Sequence, residues 1–351
     1  MNRFDYVRPT SVAEAVKAAS APGSAYLAAG TNLLDLMKGG IVQPSRLVDV
    51  SRLPGLDRIE LQANGDLRIG ALVRNADLAH DADFARACPA VAEALLSGAS
   101  PQLRNAATIG GNLLQRTRCN YFYDTASACN KRTPGAGCDA HGGDNRHHAV
   151  LGWSNSCIAT HPSDVCVPLV AFDAIAEIEG ANGRREIAVE ALHRLPGKTP
   201  EQDSALEPGE LIVAVRLPAA AKSFAAHSRY LKLRDRTSYA LALASVAAGL
   251  VTEGGTIKEA RLALGGVAPK PWRARAAEAV LAGARIEPAA FRRAADVALN
   301  EAKPSGDNAF KIELAQRVIV RALTLAAQGT PARVPALPAS PFSSVTGELH
   351  V

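Results

Sequence analysis

Five of the six cysteines, Cys119, Cys129, Cys138, Cys157 and Cys166, fall within about one seventh of a 351-residue chain. Thiols gathered in this way do chemistry of three kinds: they pair as disulfides, bind zinc together with histidine, or hold an iron–sulfur cluster as thiolates. The first four are spaced ten, nine and nineteen residues apart, and no Cys-x-x-Cys occurs. That speaks against a zinc ribbon and against a thioredoxin-like redox pair. Spacing alone leaves three outcomes open: free thiols or two disulfides, a zinc site completed by His141, His147 or His148, and a cluster. Cys88, just before Pro89, reads as a buried helix residue without chemistry.

A second constellation is made of glycines. Gly30-Thr31-Asn32 and Thr108-Ile109-Gly110-Gly111-Asn112 each set a glycine turn beside a Thr and an Asn able to donate to phosphate oxygens. Either turn alone is a structural feature, and two on one α/β scaffold, with the cysteines directly after the second, point to one phosphate-bearing cofactor between them. Other motifs fail. Gly135-Ala136-Gly137-Cys138-Asp139-Ala140 fits a dinucleotide fingerprint but follows no strand and opens no helix. Gly197-Lys198-Thr199 ends like a phosphate loop yet is bracketed by Pro196 and Pro200. No nucleophile elbow accompanies His161-Pro162-Ser163-Asp164, so hydrolase chemistry is not indicated.

These residues need elements to position them. Thr10 to Glu14 is a capping box that opens a helix. A strand over Ala25–Ala29 enters the Gly30 turn, a short helix runs from Leu33 to Gly39-Gly40, and Leu47–Val50 closes a small α/β unit. Asn64-Gly65 and Asn182-Gly183 each sit between strand-like runs and predict two hairpins. Residues 116–162 are poor in aliphatics and interrupted by Pro134-Gly135-Ala136-Gly137, which predicts a long loop that a metal centre would pin. From Leu211 the composition shifts towards strands at 229–233, 241–251 and 262–267, then helical periodicity over 276–284, 288–302 and 308–328, a separate α+β domain. Residues 331–351, rich in proline, read as an extended arm.

Composition bounds the rest. With 48% hydrophobic and 21% charged residues the chain is an ordinary globular one, long enough for two or three domains. A net charge of +5, from scattered arginines, implies no nucleic-acid partner. The longest apolar run, Tyr239–Val251, is short of the roughly 20 residues a bilayer requires. The N-terminus carries no export signal pattern.

Four stretches in order resemble the FAD-binding subunits of molybdenum hydroxylases: Ala28–Leu33, Ala107–Leu113, His161–Asp164 and Leu264-Gly265-Gly266-Val267-Ala268-Pro269. The resemblance implies an α+β chain, with an FAD domain of two α/β subdomains (about 1–55 and 56–222) and a smaller α+β domain over 223–330. It implies that the loop of Tyr26, Leu27, Ala28, Ala29, Gly30, Thr31, Asn32 and Leu33 and the loop of Ile109, Gly110 and Gly111 hold the FAD pyrophosphate through backbone N–H groups. Thr108 and Asn112 would add side-chain bonds, Asp164 would meet the ribose side, and Lys232 would approach the flavin.

Within this family, the insert 116–162 resembles that of hydroxybenzoyl-CoA reductase and, more closely, bacterial periplasmic aldehyde oxidoreductase, whose flavin subunits also carry a 4Fe-4S cluster. That likeness makes Cys119, Cys129, Cys138 and Cys157 the ligands and leaves Cys166 out. It implies an electron-transfer subunit with no acid, base or nucleophile of its own, in a heterotrimer with a 2Fe-2S subunit and a molybdenum-cofactor subunit that oxidises the aldehyde. FAD would pass electrons to an external acceptor, and the complex would reach the periplasm on a partner's twin-arginine signal, a cytoplasmic location being the alternative. Flavin subunits of hydroxybenzoyl-CoA reductase or xanthine dehydrogenase type are the neighbouring possibilities, and a zinc-stabilised binding module the one from another class. Ala29 and Asn32 stand where the family commonly has Gly and Asp. Tyr239 stands where relatives often carry an acidic residue, which speaks against an NAD-reducing role.

Overall fold

The structure is a computed structural model that describes residues 1–332. Of the extended arm expected over 331–351, residues 333–351 lie outside those described. Three sheets follow one another along the chain. The first is parallel, with β1 (Asp5–Val7), β2 (Ser24–Leu27) and β3 (Arg46–Asp49) in the order β1-β3-β2. The helix Val12–Ala19 between β1 and β2 starts where the capping box requires. Ser11 Oγ accepts from the Glu14 N–H, and the Glu14 carboxylate reaches back to the N–H and hydroxyl of Thr10, at 2.8 and 2.9 Å. Ala15, Val16 and Ala19 of this helix pack on Val48 and Val50.

The second sheet contains β4 (Ile59–Leu61), β5 (Leu67–Gly70), β6 (Ile175–Gly180), β7 (Gly183–Ala188) and β8 (Leu211–Leu217), antiparallel in the order β4-β5-β8-β6-β7. Both expected hairpins are present, but neither turns on an Asn-Gly pair. The first turns through a longer loop in which Gly65 (φ +87°) precedes Asp66, and in the second Gly183 (φ +96°) already pairs with Gly180. Leu211–Leu217, where the composition changes, belongs to this sheet, within the expected bounds 56–222. It lies between the two hairpins with its apolar side chains almost all buried, which is what a central strand demands.

The third sheet, β9 (Ser228–Leu233), β10 (Ala244–Glu253), β11 (Thr256–Gly265) and β12 (Trp272–Arg273), is antiparallel in the order β12-β11-β10-β9. Alternation along β10 divides its work. Val246, Ala248 and Leu250 pack with Ala315, Ile319, Ala322 and Leu323 of the helix Phe310–Ala327, while Ala247 and β9's Tyr230 join the cluster built by the helices Pro89–Ser97 and Cys166–Ala171. The C-terminal sheet is therefore buried on both faces. Among the described residues no helix is long and apolar enough to cross a membrane.

Residues 116–162 are the loop the sequence predicts, with one short helix, Asn120–Tyr123, and isolated bridges Cys129–Cys138 and Ser154–Cys157. The segment closes a series of turns with its own backbone bonds, and side-chain bonds tie it to the rest of the chain. Asn32 Oδ1 accepts from the Arg116 N–H at 2.9 Å, and Lys131 pairs with Asp203 and donates to Pro200 O at 2.8 Å. The fully buried Lys311 donates to His147 O, His148 O and Gly266 O at 2.9, 2.8 and 2.6 Å. Burial draws its pKa down to about 7, against the pull of three carbonyls arranged to receive an ammonium. Lys311→Met, close in shape but unable to donate, is expected to cost on the order of 3 kcal/mol by orphaning those carbonyls. A drop in the urea midpoint at unchanged slope would measure it, and a midpoint within error of the parent would refute it.

Candidate functional site

Gly30 lies at φ +74°, in the left-handed region, so the turn after β2 needs a glycine whatever lies beside it. Beyond it Leu33–Lys38 is helical. Among the described residues no backbone carbonyl accepts from the N–H groups of Thr31, Asn32 or Leu33. They border a cavity of about 550 Å³ lined also by Tyr26, Ala28, Ala29, Thr108, Gly110, Gly111 and Arg116. The two glycine segments, far apart in sequence, thus face one space. Leu27 and Ile109 are not among the residues lining it; Ile109 is a core residue.

The second glycine pair is not a turn. Ile109–Leu113 is a short helix capped by the Thr108 hydroxyl, which accepts from the Gly111 N–H at 3.4 Å. The Ile109 and Gly110 N–H groups donate to Val73 O and Ala71 O at 2.9 and 2.8 Å. The expectation that both glycines offer N–H groups to a ligand is corrected for Gly110, whose N–H is spent on Ala71 O, while that of Gly111 is held only by the long contact to Thr108 Oγ1. The two also lack a Cβ for different reasons. A Cβ on Gly110 would lie 2.9 Å from Ala71 Cβ and 3.1 Å from Ala71 O, whereas on Gly111 it would meet only Thr108 Oγ1, at 3.2 Å.

A second cavity, of about 330 Å³, shares Thr31, Asn32 and Gly111 with the first and extends to Asn112, Asp164, Lys232, Tyr239 and Leu241. Its walls hold three buried polar atoms without partners: Asn32 Nδ2, Asn75 Oδ1 and Arg104 Nε. Unsatisfied groups at this depth are what a polar ligand would complete. Asp164 and Lys232 form a buried ion pair at 2.9 Å; Tyr230 OH donates to the other carboxylate oxygen at 2.6 Å and Lys232 Nζ also reaches Ser97 O at 3.2 Å. Burial, then the Asp164 charge, hold the Tyr230 phenol well above its ordinary pKa, so it remains a donor. The Asn112 side chain is engaged within the protein, accepting from Gln115 Nε2 at 2.6 Å and Ser163 Oγ at 2.7 Å.

Cys119, Cys129, Cys138 and Cys157 line one small cavity together with Thr117, Tyr121 and Lys131. All six cysteines are free. Burial pushes Cys119 up to about 12 and raises Cys157, so as bare thiols both stay protonated at neutral pH and a metal would be needed to draw out the thiolates. A zinc–sulfur bond of about 2.3 Å puts the ligands of one tetrahedral ion roughly 3.8 Å apart. Among the described residues, the one group of three or more His, Cys, Asp or Glu with ligand atoms all within 4.8 Å is His161, Cys166 and His193. No three of the four cysteine sulfurs therefore stand within 4.8 Å of one another, wider than the ligands of a single tetrahedral ion. Of the histidines considered as zinc ligands, His141 packs edge-on against Trp153, while His148 Nε2 lies 3.2 Å from Cys119 Sγ.

Sequence reasoning missed His193, which joins His161 at a ring separation of 4.4 Å and donates through Nε2 to Leu113 O at 2.8 Å. Only the tertiary fold brings it there, since Leu113 lies eighty residues away in the chain. Cys166 is fully buried, with its thiol pushed up to about 12 by burial, and does not line the four-cysteine cavity.

A parallel α/β unit, an antiparallel sheet and a C-terminal α+β unit around two confluent, partly polar cavities define a nucleotide-cofactor scaffold, and comparison with known proteins specifies which. Residues 2–220 match the FAD binding domain in molybdopterin dehydrogenase, and residues 229–326 the CO dehydrogenase flavoprotein C-terminal domain. The chain is 49% identical over 326 residues to the aldehyde oxidoreductase FAD-binding subunit PaoB of Escherichia coli K12, covering 92% of this chain and 98% of that one. It is 30% identical over 330 residues to the carbon monoxide dehydrogenase medium chain of Hydrogenophaga pseudoflava, covering 92% and 97%. The solved carbon monoxide dehydrogenase of that organism superposes with a TM-score of 0.73 over 93% of this chain and 98% of its own, and quinoline 2-oxidoreductase from Pseudomonas putida 86 with 0.72 over the same shares, at 30% and 25% identity. The chain belongs to the family of FAD-binding subunits of the molybdenum hydroxylases. It is accordingly a subunit of an oxidoreductase, and its relatives are subunits of multi-subunit enzymes. That membership sets aside a zinc-stabilised binding module.

Gly110→Ala is expected to lose about 1–3 kcal/mol through overpacking against Ala71, whereas Gly111→Ala stays within about 0.5 kcal/mol of the parent or gains from helix propensity. Denaturant midpoints of the two variants at matched flavin loading check the contrast, and equal losses would contradict it.

Proposed function

We propose that this chain is the FAD- and 4Fe-4S-binding electron-transfer subunit of a molybdenum-dependent aldehyde oxidoreductase, completed as a heterotrimer by a 2Fe-2S subunit and a molybdenum-cofactor subunit. The observation that carries the reading is the convergence of Cys119, Cys129, Cys138 and Cys157 on one cavity, too widely spread for a single ion, in a chain 49% identical to an aldehyde oxidoreductase flavin subunit. By the same resemblance we assign the complex to the periplasm, exported on a partner's twin-arginine signal.

The residues present fit FAD. The N–H groups of Thr31, Asn32 and Leu33 meet no backbone carbonyl and would face phosphate oxygens, and Asn32 Nδ2 and Arg104 Nε are buried donors still lacking an acceptor. Thr108 caps the short helix and Asn112 accepts from Gln115 and Ser163, bonds that use only their oxygens as acceptors and leave the Thr108 hydroxyl proton and Asn112 Nδ2 to donate to the cofactor. Asp164 holds the Lys232 ammonium in place within the second cavity, where it offers positive charge to a flavin while its own desolvation is offset by the carboxylate. When bound, FAD exchanges electrons singly or in pairs and a 4Fe-4S cluster singly. The four cysteines would hold the cluster, and Lys131 and Arg132 stabilise the loop that carries them: Arg132 donates to Tyr121 O and Phe122 O at 2.9 Å. No side chain here serves as acid, base or nucleophile toward an aldehyde, whose oxidation falls to the molybdenum subunit.

Anaerobically purified protein is expected to contain about four irons per chain. Serine at Cys119, Cys129, Cys138 or Cys157 should lower that sharply, and serine at Cys88 or Cys166 should not; stoichiometric zinc without iron would refute the cluster. The complex co-expressed with both partners is expected to oxidise benzaldehyde with an artificial acceptor, and the flavin-loaded chain alone to be inactive. Equal turnover by the chain alone would mean that it contains its own substrate site, and inactivity of the complete complex on a panel of aldehydes would refute the substrate class.

A further inference from the structure

His148 is 7% exposed and outside the set of four cysteines, yet its Nε2 lies 3.2 Å from Cys119 Sγ. Its other ring nitrogen, Nδ1, is buried with no partner. A cluster-bound thiolate can only accept, so the nitrogen facing it must carry the proton. The ring is held from behind rather than by its own hydrogen bonds. His148 N–H donates to Asn145 O at 2.9 Å, and His148 O accepts from Lys311 Nζ at 2.8 Å and Asn308 Nδ2 at 3.1 Å, both at the start of the last described helix. The C-terminal domain therefore aims an N–H donor at one cluster ligand, and the Tyr121 ring, 6.5 Å away between centroids, limits its swing.

Resting on the cluster reading above, we propose that His148 is a positioning residue that sets the reduction potential of the cluster through an Nε2–H···Sγ hydrogen bond to Cys119. Reduction adds one electron to the cluster and spreads negative charge onto its sulfur ligands. A donor on one of those sulfurs stabilises the reduced form more than the oxidised form and raises the potential. It would bias electron flow toward the cluster without touching substrate or flavin.

The test is redox titration of the holo-complex, followed by the cluster's electron paramagnetic resonance signal, for His148→Leu, which removes the donor, and His148→Gln, which retains an amide N–H. His148→Leu is expected to keep about four irons and to lower the equilibrium constant for cluster reduction roughly tenfold, about 59 mV toward more negative potential for one electron. His148→Gln should recover most of the shift, and the flavin potential should stay put in both. An unchanged cluster potential in His148→Leu with full iron would overturn the proposal. Iron loss in either variant would also overturn it, by making His148 a ligand. If the parent complex held no iron, the cluster reading itself would fall, a result distinct from the other two.

Discussion

The Lys311 ammonium sits wholly out of water and donates to carbonyls of His147, His148 and Gly266, two of them at the end of a segment that makes almost no ladder hydrogen bonds of its own. An unpaired ammonium at that depth would be untenable, and so would three orphaned carbonyls. Each makes the other possible. The bond network joins the helix Phe310–Ala327 to the cysteine segment, and with Asn308 it fixes where His148 stands. At the other end, Asn32 spends its side-chain oxygen on the Arg116 N–H, so the first glycine turn anchors the entry of the same segment. The segment is thereby anchored at both ends, by the flavin-binding domain and the C-terminal domain.

This arrangement ties the glycine-turn cavities to the four-cysteine cavity. Asn32 borders both flavin-side cavities and holds Arg116, three residues before Cys119, which lines the four-cysteine cavity. The backbone thus passes from one region to the other without an intervening element. Asp164 plays the corresponding part across the domains. From the segment before the helix Cys166–Ala171 it receives Lys232 and Tyr230 from β9, so the second cavity exists only when the C-terminal sheet is docked.

Glycine serves two physical purposes here that look alike in a sequence. Gly30 is required by a positive φ, a demand of the backbone itself. Gly110 has an ordinary helical conformation and is required because Ala71 occupies the place of its side chain, while Gly111 beside it faces open cavity. Two consecutive glycines disfavour a helix, so Gly110-Gly111 has the local signature of a turn. The Thr108 cap and the packing against β5's successor residues override that preference.

Much of the molecule follows from local pattern. The capping box at Thr10–Glu14, the strand over 241–251, the irregularity of 116–162 and the crowding of cysteines there are properties of neighbouring residues, and local conformational preference is strong enough to express them. Sequence motifs also identified the family before any contact was known. What they could not contain is pairing at a distance: that Leu211–Leu217 enters the middle of an earlier sheet, that His193 reaches His161, that Gly110 spends its N–H on Ala71, and that Lys311 holds His148 against Cys119. Each is decided by which buried polar group finds its complement once the chain has collapsed. That depends on the three-dimensional neighbourhood, because burial makes an unmet donor or acceptor costly only after water has been removed from around it.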